Sequence, residues 1–501
     1  MDNLFKQVLT ARVYDVAEHT DLDLAGNISK QLENNVFLKR EDLQPVFSFK
    51  IRGAFNRIFH LTAKQQAAGV ICASAGNHAQ GVALSAAHLG LSALVVMPKT
   101  TPRIKVRAVE RLGAEVVLEG DSFSEAAAHC EALLRKTGRT FIHPFNDPLV
   151  IAGQGTIAHE LLEQCPEMQM VFVPIGGGGL ISGIGGFLKA IQPAVRVVGV
   201  QPEDSNAMAL SLAAGRRVAL KDVGLFADGV AVKQVGDRTF ALARQCVDDI
   251  VTVTTDETCS AIKAIYEDTR SIMEPAGALA VAGLRKTVQR QGLRGRNLVA
   301  INSGANMNFD RLAFVAERTQ IGERREALFA VTIPERPGAM KFFCKEMVGE
   351  RNVTEFNYRL MGRNEAHIFV GVGINSESER QAFSRALREH GFPHVDLTDN
   401  ELAKTHVRHM VGGKSEVSAH EVLYRFEFPE RPTALLDFLM AMSENWNISL
   451  FHYRMHGADF GRVLVGFEIP HGERTAFKRF LDGLKYAYQE ETHNPAYSLF
   501  L

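Results

Sequence analysis

The 501-residue chain carries almost no net charge: 56 Lys and Arg stand against 57 Asp and Glu, leaving −1. No global positive field exists to hold a polyanion or an acidic membrane surface, so neither nucleic acid nor membrane is expected as a partner. Cysteine is scarce too. The six thiols, at 72, 130, 165, 246, 259 and 344, include no CxxC and no Cys/His cluster at ligand spacing, so neither a disulfide framework nor a metal site is expected. Buried free thiols in a reducing compartment are the remaining reading. Long charge-free runs are rare. Residues 168–188 are long enough to span a bilayer, but seven glycines, Pro174 and Gln169 within them argue for a loop. The first ten residues have no basic region followed by an apolar run, so no secretory signal is read and a cytoplasmic location is expected. With 46% apolar and 23% charged residues, the chain has material for about three domains and a sizeable core.

Composition shifts near residue 320. The last 181 residues hold 16 of the 31 phenylalanines and 10 of the 17 histidines, which marks two regions built by different rules. In the first, short apolar runs alternate with helix-length amphipathic segments. Runs at 70–73, 93–97, 115–118, 171–175 and 195–201 are separated by helical patterns at 79–89, 103–112, 123–136 and 180–191. Strand, helix, strand in this order predicts an α/β region with parallel sheet and helices on both faces. Such sheets bind ligands in the loops at the carboxyl ends of their strands.

The second region contains an internal repeat. Pro334-Glu335-Arg336-Pro337 recurs as Pro429-Glu430-Arg431-Pro432, and Tyr358-Arg359 recurs as Tyr453-Arg454, both 95 residues on. Each copy reads as βαββαβ, a ferredoxin-like α+β order. The expected boundaries are 1–320 for the first region, 327–398 for one module and 421–492 for the other. A doubled small module behind an α/β region suits ligand sensing, with dimerisation as the alternative.

Four segments could carry chemistry. Gly176-Gly177-Gly178-Gly179-Leu180 follows an apolar strand and opens a helix, so its backbone N–H groups and the helix dipole form a phosphate cradle. It lacks the Lys-Ser/Thr of a P-loop. Glu203 lies where a ribose-binding acid would sit, which keeps a nicotinamide enzyme open at this point. Ser74-Ala75-Gly76-Asn77-His78 ends a second strand and could hold a carboxylate, or merely cap a helix. Ser48-Phe49-Lys50-Ile51-Arg52-Gly53-Ala54 sets a lysine among apolar residues, where an amine loses basicity and becomes nucleophilic. Ser303-Gly304-Ala305-Asn306 puts a hydroxyl at the end of the last strand of the region.

In order and spacing these four motifs resemble the pyridoxal-phosphate enzymes of the tryptophan synthase β-like group. With the doubled, ACT-like tail, the chain is similar over essentially its whole length to the biosynthetic threonine ammonia-lyases. The resemblance implies a two-lobed catalytic region and pyridoxal 5'-phosphate as cofactor. Lys50 is then the lysine that holds the cofactor and later removes the Cα proton. Gly176, Gly177, Gly178, Gly179 and Leu180 take its phosphate, Asn77 its ring hydroxyl, and Ser303 its pyridine nitrogen. Ser74, Ala75, Gly76 and Asn77 receive the substrate carboxylate. A serine at the pyridine nitrogen, instead of the commoner Asp, leaves a weaker electron sink and favours β-elimination. Serine racemases carry a serine where this chain has Ala75, which lowers the expectation of racemisation.

The implied reaction converts L-threonine to 2-oxobutanoate and ammonia, the first committed step of isoleucine biosynthesis. L-Serine is a secondary substrate, because one methyl group is worth only about 1–3 kcal/mol of discrimination. Isoleucine as inhibitor, valine as its opponent and a homotetramer follow from the same resemblance. Glu335, Arg336, Tyr358 and Arg359, with Glu430, Arg431, Tyr453 and Arg454, are the candidate effector contacts. Competing readings are a dehydratase of broader specificity, a nicotinamide oxidoreductase and a non-catalytic amino-acid sensor.

Overall fold

The computed structural model describes residues 2–120, 123–224, 226–309, 311–322, 325–359, 364–400, 403, 421–429, 434–443, 445–454, 460–470, 472–484 and 486–494. The chain divides into two compact units, Met1–Gly322 and Glu323–Leu501.

The first unit holds two sheets. Strands Glu115–Leu118, Ala93–Met97, Val70–Ala73 and Thr140–Phe141 form a four-stranded parallel sheet in that order. A six-stranded sheet has the order Leu22–Leu24, Asn35–Arg40, Asn297–Asn302, Met170–Pro174, Arg196–Pro202, Asp249–Val253. Its edge strand Leu22–Leu24 is antiparallel and the other pairings are parallel. The sequences Val-Ile-Cys-Ala, Ala-Leu-Val-Val-Met and Met-Val-Phe-Val-Pro are buried at every position, as strands covered on both faces must be. The α/β character and the chain order of these elements match the sequence reading. Their division between two sheets was not readable, because apolar runs do not say which parallel neighbour each strand takes.

Three helices position the chemistry, and glycines let them approach. Helix Lys50–Phe59 crosses helix Pro148–Gln164, and a Cβ on Gly153 would lie 2.6 Å from the Arg52 carbonyl. The same central helix crosses helix Gly179–Ile191, where a Cβ on Gly183 would lie 2.4 Å from the Ile151 carbonyl. The lysine-bearing helix and the helix opened by the glycine run are thus fixed against one common helix. That helix starts sharply: Asp147 accepts from the backbone N–H groups of Leu149 and Val150, and Pro148 occupies the first turn. All six cysteines are buried free thiols, and burial pushes the Cys72, Cys246, Cys259 and Cys344 thiols up.

The second unit is one antiparallel sheet of eight strands, ordered His394–Asp396, Glu326–Pro334, Glu365–Gly373, Val353–Arg359, Asn447–Arg454, Phe460–Glu468, Glu421–Pro429, Ala487–Glu490. Each half is a βαββαβ unit, as the repeat predicts. The helix at Ala339–Phe343 continues as a π-helical turn over Cys344–Val348. The halves join through Val353–Arg359 and Asn447–Arg454, and Asn357 faces His452 across the join. These two residues are themselves related by the 95-residue shift, so the pairing has a local two-fold axis within one chain. The phenylalanine enrichment has a structural cause here. Phe343, Phe356, Phe426, Phe428, Phe438 and Phe451 belong to one buried core that draws on both halves, with rings such as Phe356 and Phe451 meeting edge to face.

Candidate functional site

The end of strand Met170–Pro174 leads through Ile175 into the glycine run, and helix Gly179–Ile191 begins with Gly178 as its N-cap. No side chain caps that helix, so its first N–H groups remain available to an anion. Gly178 has φ +96°, which disfavours any residue with a Cβ. A Cβ on Gly177 would lie 2.3 Å from the Phe145 ring, and one on Gly179 would lie 3.0 Å from Phe145 Cα. The Thr239 hydroxyl donates to the Gly177 carbonyl at 2.6 Å. The run is therefore packed closely against Phe145 and Thr239, with no side chain of its own over its amides. Phe145 is fixed in turn by His143, whose Nδ1 accepts from the backbone N–H groups of Phe145 at 3.1 Å and Asn146 at 2.8 Å. Burial holds His143 down to about 4, so the ring is neutral and free to accept.

Lys50 opens helix Lys50–Phe59 and is half-buried, with its Nζ 5.1 Å from the centre of the Phe49 ring. Protein crowded round the amine pulls its pKa down to about 8, against the opposing pull of the nearby Glu274 carboxylate. The preceding loop is pinned to the last strand of the sheet. Ser48 bridges Gly304, the Phe49 N–H donates to the Ser303 carbonyl at 3.3 Å, and the Ala305 N–H donates to the Phe47 carbonyl at 2.9 Å. This joins two of the motifs, 48–54 and 303–306.

Ser74–Asn77 link to the same place. Gly76 is the N-cap of helix Asn77–His88 and no side chain caps it; Ser74 Oγ instead accepts from the Gly76 N–H at 3.3 Å. The ordinary capping alternative for Ser74 or Asn77 is not what the structure has. Asn77 Nδ2 donates to Glu274 Oε1 at 2.6 Å, and Asn77 Oδ1 accepts from Asn306 Nδ2 at 2.7 Å. Ser303 is buried, and its hydroxyl lies 3.4 Å from the Ala276 carbonyl.

Glu274 was not singled out from the sequence. It stands before Pro275 at the start of helix Pro275–Gln291, where Glu-Pro reads as a helix start. Burial raises its carboxyl to about 7, with Asp228 adding to the rise, while Asn77, Lys105 and Lys50 oppose it. Burial thus pushes the Glu274 carboxyl up and the Lys50 amine down toward each other, which makes this a candidate functional site. Glu203, the possible ribose acid, instead lies 3.8 Å from Lys286 Nζ. Among the described residues, no group of three or more His, Cys, Asp or Glu could hold a metal ion, and no helix is long and apolar enough to cross a membrane.

The second unit contains a cleft of about 880 Å³ between its two halves. Glu335, Arg336 and Tyr358 line it, together with Met340, Trp446 and Asn447. The Tyr358 hydroxyl lies 2.9 and 2.8 Å from the two Glu335 oxygens. Burial raises the Glu335 carboxyl, and Glu468 raises it further against the hydrogen bonds from Tyr358 and Asn447. A smaller cavity is lined by Asn352, Val353, Ala434, Leu435 and Tyr453. Their counterparts 95 residues away, Asn447, Ile448, Ala339, Met340 and Tyr358, line the larger one. Glu430 and Arg431 lie outside the described residues, as do the side chains of Arg359 and Arg454.

Comparison with known proteins bears on both units. Residues 14–304 match the family model of pyridoxal-phosphate dependent enzymes. Residues 317–407 and 412–501 each match the C-terminal regulatory domain of threonine dehydratase. A biosynthetic L-threonine dehydratase from Burkholderia multivorans is 56% identical over 500 residues, covering 99% of this chain and 98% of that one. The corresponding protein from Escherichia coli is 50% identical over 497 residues, covering 99% and 96%. Among solved structures, the processed form of threonine deaminase isoform 2 from Solanum lycopersicum is 47% identical with a TM-score of 0.62, covering 63% of this chain and 93% of that one. A maize serine racemase is 33% identical with a TM-score of 0.59, covering 63% and 96%.

Proposed function

The chain belongs to the biosynthetic threonine dehydratases, pyridoxal-phosphate enzymes with a doubled C-terminal regulatory domain, and we propose that it converts L-threonine to 2-oxobutanoate and ammonia under feedback control. The relationship over nearly the full length of both chains, regulatory half included, carries this reading. The nicotinamide and pure-sensor readings have no place in it. The residues present fit the cofactor: a glycine run too tightly packed to carry side chains, opening a helix with no side-chain cap, suits its phosphate, and an amine lowered to about 8 suits its aldehyde.

When bound, pyridoxal phosphate supplies the electron sink that loosens the Cα proton of the substrate. The chain's own residues do the rest. Amides of Gly176–Leu180 hold the phosphate, and Asn77 binds the ring oxygen. Ser303 hydrogen-bonds the pyridine nitrogen without ionising it. Amides and hydroxyls of Ser74–Asn77 receive the substrate carboxylate. The Lys50 amine, already poor at holding a proton, takes the one from Cα. The substrate loses its Cα–H and its β-hydroxyl, which leaves as water, and a later water releases ammonia. L-Serine is a slower alternative substrate. Ammonia release from threonine, with and without isoleucine, tests the activity in one assay; a protein that releases none is not this enzyme. Gly177→Ala should drive a methyl into the Phe145 ring and weaken cofactor binding roughly tenfold or more, measured as a dissociation constant.

Residues 1–320 are assigned to catalysis, and 327–398 and 421–492 to effector sensing in a cytoplasmic homotetramer. Glu335, Arg336 and Tyr358 supply polar lining to the larger cleft, suited to the charged groups of an amino acid. Met340, Ile448 and Trp446 supply apolar lining suited to the branched side chain of isoleucine or valine. Tyr453, the counterpart of Tyr358, lines the smaller cavity, with Arg359, Glu430, Arg431 and Arg454 retained as further candidates. Tyr358→Ala removes one hydrogen-bond partner of Glu335 and should raise the isoleucine concentration for half-inhibition roughly tenfold. Unchanged inhibition removes Tyr358 from the effector site.

A further inference from the structure

Asn77 sits in a chain of hydrogen bonds whose direction is set at one end by a group that can only accept. Asn306 Nδ2 donates to the Val46 backbone carbonyl at 2.9 Å and to Asn77 Oδ1 at 2.7 Å. A carbonyl has no proton to give, so Asn306 must turn its NH2 toward Val46. Its other N–H then points at Asn77, which must present its oxygen there. The Asn77 NH2 is thereby turned the other way, where Glu274 Oε1 takes one of its two protons at 2.6 Å. Two long-range contacts, at sequence separations of 229 and 197 residues, hold the Asn77 amide, and a third, at 260, orients Asn306. Gly304 leaves room for the junction: a Cβ there would lie 2.9 Å from Glu274 Oε1, 3.1 Å from the Phe47 carbonyl and 3.4 Å from Asn77 Nδ2.

We propose that Asn306 and Glu274 are positioning residues that lock the Asn77 amide in one flip, leaving its second N–H as a donor to the cofactor's ring oxygen. A donor-only contact selects that oxygen as an anion and rejects its protonated hydroxyl form. Were the amide free to flip, its oxygen could accept from the hydroxyl and stabilise the other form equally well. The lock thus biases where one proton of the bound cofactor resides, before any substrate arrives. This rests on the reading that Asn77 faces the cofactor ring.

The test is the visible absorption spectrum of the holoenzyme, which reports the ratio of the two ring-oxygen protonation forms without turnover. Asn306→Asp keeps the shape but cannot donate to Val46 or Asn77. It should lower the ratio of anionic to hydroxyl form roughly tenfold, the effect of losing one charge-assisted hydrogen bond. Glu274→Leu should act in the same direction, while Glu274→Gln, which still offers an acceptor, should restore the wild-type ratio. A wild-type ratio in Asn306→Asp with cofactor bound overturns the proposal, as does a Glu274→Gln ratio no better than Glu274→Leu. If Asn306→Asp does not fold, the Glu274 pair decides alone. Asn77→Ala checks the underlying reading separately: an unchanged spectrum there shows that Asn77 does not face the ring.

Discussion

Lys50→Ala should yield a folded protein without the absorption band of lysine-linked cofactor and with threonine turnover reduced by roughly 10³-fold or more. A positioned general base alone contributes about 10²–10⁴-fold, and here the same amine also anchors the cofactor. Folding should not suffer. Burial pulls the Lys50 pKa from 10.5 to about 8, so the folded state holds fewer protons than the unfolded state between those values. Stability of the cofactor-free protein therefore rises with pH across that window, and below about pH 8 the full penalty of the half-buried ammonium is present. Cofactor-free Lys50→Ala should accordingly melt no lower than wild type at pH 7, with the difference shrinking as pH rises from 8 toward 10.5. Differential scanning calorimetry at three pH values reads this, and absorbance with a threonine assay reads the rest. Retention of both band and turnover would remove Lys50 from the centre of the site.

The parts of this site that lie on one stretch of chain were legible in the sequence. The glycine run and the serine-asparagine loop each announce a strand end, and the lysine segment an amine among apolar residues, because close backbone approach and helix starts need particular residues locally. The 95-residue repeat likewise fixed the order of elements in the second unit. What stayed hidden depends on partners far apart in the chain. Glu274 reads as a helix start, and only the fold places it against Asn77. The pairing of Asn357 with His452 needs the register of two strands that the repeat alone does not supply. Asn306 was visible as part of a motif, yet its role depends on the Val46 carbonyl. Charged residues on amphipathic segments are the extreme case, since a buried Arg and an exposed one look alike until the opposing charges are found.

Arg52 is that case, and Arg52→Leu should strongly destabilise the first unit. Two residues past Lys50, it is fully buried, and its guanidinium spans two carboxylates. It donates to Glu41 at 2.8 and 2.7 Å, to Glu160 Oε2 at 3.1 Å, to the Thr156 hydroxyl at 3.1 Å and to the Glu18 carbonyl at 3.1 Å. Lys39 also reaches Glu160, at 2.5 Å, and Tyr14 donates to it at 2.8 Å. The network ties the helix of Lys50 to the amino-terminal segment, the strand Asn35–Arg40 and helix Pro148–Gln164. Removing the guanidinium leaves two buried carboxylates with one lysine between them, a change that typically costs about 3–5 kcal/mol. The melting temperature should fall by roughly 5–10 °C. Arg52→Lys should rescue little, because an ammonium cannot serve both carboxylates with the geometry of the fork. Acid behaviour supplies an independent check. Burial alone would raise Glu160, but Arg52 and Lys39 outweigh it and hold its carboxyl below the usual range. The stability this provides is present above the ordinary carboxylate pKa and is lost as pH falls through the lowered folded value. Arg52→Leu should flatten that acid limb, whereas substituting Arg52, Glu41, Glu160 and Lys39 together by apolar residues should recover much of the lost stability, since no charge is then left unpaired. A melting temperature within 2 °C of wild type for Arg52→Leu, with the acid limb unchanged, would show that the network contributes geometry and not stability.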